Sequence, residues 1–172
     1  SFALAGLIFF KAKFSLLSKA FVLFTSAFCM WLIGDLITWT STDHTLIYTT
    51  WSFLLYLELV FYTLGLYFAL VFVKRSDISA IYKILLFLVT AVPLVFTVTQ
   101  RSVTGFNYPV CEAFNNGFLD SYKLAVEGMI LLVILLYSIN PLFRISTWKE
   151  KRANLIVLGS MFLFFSIFGA TE

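Results

Sequence analysis

Runs of about twenty apolar residues follow one another along this chain, and they leave few folds open. A bilayer core of about 30 Å takes a helix of about twenty apolar residues to cross it. Inside lipid every backbone polar group must be satisfied internally, so only helices and closed barrels span. The apolar runs fall at about 1–10, 20–40, 45–73, 78–100, 117–140 and 153–171. Barrel strands are shorter and alternate polar with apolar, whereas these runs are long and evenly apolar. The reading is therefore all-α: a polytopic transmembrane helical bundle forming one domain over 1–172. Six spans are visible, the first of them the tail of a helix. With 61% hydrophobic and 12% charged residues, little is left for a soluble domain. Residues 101–116 read as the longest loop, Pro141 as the end of span five, and Arg144 to Arg152 as a basic loop containing Trp148. Pro93 predicts a kink in span four, and Ser76 or Asp77 a cap for that helix.

Charge sets an orientation. The segments after spans one, three and five carry Lys11, Lys13, Lys19, Lys74, Arg75, Lys83, Arg144, Lys149, Lys151 and Arg152, ten of the twelve basic residues. Cytoplasmic loops are enriched in Lys and Arg, so these face the cytoplasm and the N-terminus lies outside. An outside end after span six predicts a seventh span.

Charged side chains within spans are rare and face a protein interior or a cavity. Span two holds one, Asp35, and span three holds one, Glu58. Span five enters with Asp120, Lys123 and Glu127, whose spacing puts them on one helical face. At 1.5 Å per residue Asp35 lies roughly 9 Å deep, Lys123 and Glu127 roughly 9–15 Å, and Glu58 roughly 20 Å, near mid-membrane. Trp31 stands one turn before Asp35, and Trp51 and Tyr62 share a side of span three with Glu58. Carboxylates walled by aromatics suit a small ligand with a cationic or hydrogen-bonding part. The candidate ligand-binding set is Asp35, Glu58, Lys123, Glu127, Trp31, Trp51 and Tyr62. An equally physical reading makes the same groups glue between helices, Asp35 and Glu127 pairing with Lys123. A proton or ion path would place carboxylates at several depths. Trp39 and Trp148 read as interfacial anchors, and His44 as a solvated turn residue.

Other chemistry lacks its signatures. Cys29 in mid-helix and Cys111 in a loop do not predict a disulfide. The chain has no CxxC or His/Cys cluster for a metal, and neither a metal nor another cofactor is expected. It carries no HExxH, GxSxG or phosphate-loop motif, so no enzyme is expected. No basic patch on a soluble surface points to nucleic acid. The expected partners are the lipid bilayer, a small-molecule ligand, and further copies or subunits of a membrane assembly.

Phe21-Val22-Leu23-Phe24 with Trp31-Leu32-Ile33-Gly34-Asp35, then Trp51-Ser52-Phe53 through Tyr56-Leu57-Glu58, and Tyr67-Phe68 with Phe72 form a pattern. A basic loop and a proline-bearing span follow it. The pattern resembles the N-terminal seven-helix sensor region of bacterial histidine kinases, over about Lys19 to Glu172. The resemblance implies a receptor input module in a bacterial cytoplasmic membrane, coupled to a cytoplasmic output domain. Neither a phosphoacceptor histidine nor nucleotide-binding glycines are present here. The alternatives are a non-enzymatic subunit of a larger membrane assembly and a small-solute transporter.

Overall fold

The computed structural model describes residues 15–99, 101–107, 112–144 and 147–170. The span read at 1–10 and Cys111 lie outside them. Five helices follow in order: α1 (Leu16–Thr40), α2 (His44–Lys74), α3 (Ala80–Val98), α4 (Gly117–Arg144) and α5 (Trp148–Ala170). Each of the five is long and apolar enough to cross a membrane.

The helix ends explain themselves locally. Ser15 accepts at its Oγ from the Ser18 N–H, which caps α1. Asp43 Oδ1 accepts from the N–H groups of Thr45 and Leu46 and starts α2. Three residues thus separate α1 from α2, so the two helices run antiparallel and pack along their length. α2 ends at Arg75, which takes the left-handed conformation at φ 55°.

Several boundaries differ from the sequence reading, two of them with a clear local cause. α4 continues past Pro141 to Arg144. A proline near a helix end costs one backbone bond in a stretch whose carbonyls are already short of partners. α5 begins at Trp148, so Trp148 to Arg152 of the expected basic loop are helical. The Thr147-x-x-Glu150 pattern explains this start, since Thr147 Oγ1 donates to Glu150 Oε2 at 2.8 Å.

The cap of α3 also differs. Its N-cap residue is Ser79, which makes no side-chain capping bond. Asp77 works in the preceding turn, accepting from the Ile78 N–H, the Tyr67 hydroxyl and the Lys83 ammonium. The Lys83 ammonium, with the Tyr67 hydroxyl beside it, holds the Asp77 carboxyl below the ordinary aspartate range. The contact is therefore present above that range and is lost as pH falls through the lowered value. Being exposed, it contributes little to stability.

The fold is the helical bundle expected, but the stretch read as a long loop contains a β-hairpin. β1 (Val103–Asn107) pairs antiparallel with β2 (Glu112–Asn115), with a bulge between Val103 and Gly105. The hairpin lies over the start of α2. Tyr48 Oη donates to the Val103 carbonyl at 2.7 Å, Trp51 meets Phe106 edge-on, and Leu55 clusters with Val103 and Leu119. At 31 residues α2 is roughly 46 Å long, about 16 Å more than a bilayer core. The hairpin covers part of that excess.

α2 is the central helix. It packs against α1, α3, α4, α5 and β1. Phe61, fully buried, lies within 5.1–5.9 Å of the rings of Phe24 and Phe28 from α1, Tyr62 beside it, and Phe164, Phe165 and Phe168 from α5. Gly65 lets this happen: a Cβ there would overlap Phe165 and come within 3.2 Å of Phe24.

Pro93 lies inside α3 and is buried. Lacking an N–H, it leaves the carbonyl four residues back without its helical donor. That carbonyl belongs to Val89, and Tyr122 of α4 donates its hydroxyl to it at 2.8 Å. Tyr122→Phe is expected to cost about 1 kcal/mol. The double variant Pro93→Ala/Tyr122→Phe restores the helical donor and should recover most of that loss. Unfolding in mixed detergent micelles measures both.

Candidate functional site

Five of the seven candidate residues come together around one cavity of about 340 Å³. Trp31 and Asp35 enter from α1, Trp51 and Glu58 from α2, and Lys123 from α4. Trp39, Leu54, Leu55, Asn115 and Phe168 complete the lining. The cavity thus opens among α1, α2, α4 and α5 at the hairpin end of the bundle. The close approach of α1 to α2 passes through Gly34, where a Cβ would sit 2.7 Å from Leu54 Cδ2. No side chain larger than hydrogen fits there without displacing the cavity wall.

The charge balance centres on Glu58. Its Oε2 receives the Lys123 ammonium at 2.8 Å, and the Glu58 side chain is 3% exposed against 18% for Lys123. In the sequence Lys123 balances the charge of Asp35, Glu58 and Glu127, or pairs with Asp35 and Glu127 as glue; the structure brings Glu58 to it. This contact also sets depth. Lys123 stands six residues into α4, about 9 Å from its start. Glu58 is therefore tied to the hairpin-side half of the bundle. Asp35 is half-buried on the cavity wall.

Two residues of the lining, Trp31 and Asn115, each carry a buried polar atom, Nε1 and Oδ1, with no hydrogen-bond partner among the described residues. One donates and the other accepts. Buried polar groups are nearly always paired, so a cavity with one of each is suited to a polar guest. The Trp31 ring packs edge-on against Phe168 at 4.7 Å, which fixes its orientation.

Tyr62 and Glu127 fall outside the lining. Tyr62 is fully buried, stacks on Phe165 at 4.6 Å and donates its hydroxyl to the Phe165 carbonyl at 3.0 Å. Glu127 is buried, with its Oε2 3.7 Å from where a Cβ on Gly169 of α5 would lie. Both sit where α5 meets α2 and α4, below the cavity. Five lining residues lie outside the candidate set, three of them polar or aromatic. Trp39 was assigned to the interface, Asn115 was counted as loop, and Phe168 belongs to a span without charges. Their common signal is position within two residues of the end of a helix or strand at the hairpin end. Among the described residues no group of His, Cys, Asp and Glu is arranged to hold a metal.

Fold and site together define an integral helical membrane protein with a charged, aromatic-walled cavity toward one end. Comparison with protein-family models, curated proteins and solved structures returns no match.

Proposed function

We propose that this chain is the membrane input region of a sensor, receiving a small polar ligand in the cavity bounded by Asp35, Glu58 and Lys123. One observation carries the reading. The cavity presents carboxylates, an ammonium and three indoles, and two of its lining residues hold a buried donor and a buried acceptor that have no partner among the described residues. A zwitterionic or cationic guest of amino-acid or amine type matches that set: carboxylates and aromatic faces attract cations, and the ammonium attracts a carboxylate. Binding would displace α2, which carries Glu58 at the cavity and Lys74 at the basic end. Under the positive-inside rule that basic end faces the cytoplasm, where an output domain would receive the change. The resemblance to sensor regions of bacterial histidine kinases supports the same reading, and with it a bacterial cytoplasmic membrane.

The test uses the full-length protein in nanodiscs with a panel of free amino acids and monoamines. At least one member is expected to raise the melting temperature, by about 2.7 kcal/mol of stabilisation at a hundredfold excess over Kd. Asp35→Asn should abolish the shift and the downstream response. A panel without effect, joined to unchanged output in Asp35→Asn and Glu58→Gln, would overturn the sensor reading. It would favour the second one, a subunit held together by the buried Lys123–Glu58 pair.

A further inference from the structure

We propose that the cleft between α3 and α4 at the basic end is a binding site for an anionic glycerophospholipid, one acyl chain lying in the cleft and the phosphate meeting Lys74. The proposal is independent of the sensor reading. The buried residues of α3, namely Thr90, Pro93 and Thr97, all lie in its second half. From Ala80 to Val89 no residue is fully buried, and only Leu86 and Val89 are half-buried against the core. At the hairpin end α3 and α4 are joined by the Tyr122–Val89 bond and by the stacked rings of Phe96 and Phe118 at 5.7 Å. Beyond that join a cavity of about 300 Å³ lies between them, floored by α2.

Its walls are hydrocarbon: Leu66 and Leu70 from α2, Leu85 and Leu86 from α3, Ile130 and Val133 from α4. One end is closed by Thr63 and Val126, and the other is marked by Lys74, Tyr82 and Tyr137. From Thr63 to Lys74, and again from Val126 to Tyr137, is eleven residues, or about 16 Å of helix. That is about half of a 30 Å hydrocarbon core, the depth of one leaflet. The cleft therefore starts at an interface and stops near mid-membrane, as a bound acyl chain does. Tyrosines at its mouth are the residue type that sits at headgroup level.

Charge selects the headgroup. Lys74 Nζ lies 5.3 Å from the Tyr82 ring centroid and makes no ion pair among the described residues, whereas Lys83 is engaged by Asp77. Arg75 follows, exposed, over Phe72 at 5.4 Å. These cations meet a phosphate and a net negative headgroup; a zwitterionic lipid satisfies them less well.

The experiment is native mass spectrometry of the full-length protein, delipidated and then incubated in micelles with equal amounts of phosphatidylglycerol and phosphatidylcholine. The wild type is expected to retain phosphatidylglycerol preferentially. Lys74→Gln should lower the retention ratio about fivefold, from about 1 kcal/mol per lost cation. Leu85→Trp, at a half-exposed position that tolerates the ring, fills the cleft and should lower retention of both lipids. Equal retention of the two lipids by the wild type overturns the proposal. So does retention unchanged in both variants, which marks lipid held at the general surface. A lipid-free dimer disrupted by Leu85→Trp also overturns it, since a second copy then occupies the cleft.

Discussion

Lys123→Met is expected to lower the unfolding free energy by about 3–5 kcal/mol, because it leaves the Glu58 carboxylate buried without its ammonium. The magnitude follows from burial. Glu58 keeps 3% of its side-chain surface, and the ammonium approaches to 2.8 Å. An exposed pair of the same length would contribute at most about 1 kcal/mol. Most of the loss is the cost of stranding one charge, so the double variant Glu58→Gln/Lys123→Met should recover the greater part of it. Unfolding by SDS titration in mixed micelles, arranged as a double-mutant cycle, measures the coupling. A loss below about 1 kcal/mol for Lys123→Met would mean that solvent reaches the pair freely.

The second large effect is at the aromatic core. Phe165→Ala should cost about 3–5 kcal/mol, since the ring is fully buried and contacts Phe24, Phe61 and Tyr62. Gly65→Ala in the native background should cost about 1–3 kcal/mol, because the new methyl group overlaps that ring. The two changes are not additive. With Phe165 shortened, the methyl group added at Gly65 enters the space the ring leaves, and only the 3.2 Å approach to Phe24 remains tight. The double variant should therefore be at least as stable as Phe165→Ala alone. If the costs instead add, α2 and α5 do not meet at this point.

The bundle was legible because length and apolarity are local properties. The second to sixth spans were each found, with ends off by a few residues wherever a cap or a proline outweighed hydropathy. The start of α5 shows the cause: Trp148 to Arg152 is too charged to count as apolar, yet Thr147 and Glu150 begin a helix there. The hairpin was hidden because its strands have five and four residues and a bulge, too few for alternation to register. Asp35, Glu58, Lys123, Trp31 and Trp51 were legible as a group because charge in a span is rare. That Lys123 meets Glu58 was not, since this depends on how α2 and α4 are set against each other. Asn115 was out of reach for the same reason: its place in the lining depends on the fold of the hairpin. Pro93 was recognised as a local disturbance, but nothing in the sequence linked it to Tyr122, 29 residues later.

The distribution of tryptophan has an optical consequence. Of the four in the chain, Trp31, Trp39 and Trp51 line the same cavity, while Trp148 is exposed at the far end of the bundle. Intrinsic emission therefore reports mainly on this one place, and the molecule carries its own spectroscopic probe without a label. A guest that displaces water from three indoles shifts their emission to the blue, and Trp148→Phe removes most of the background.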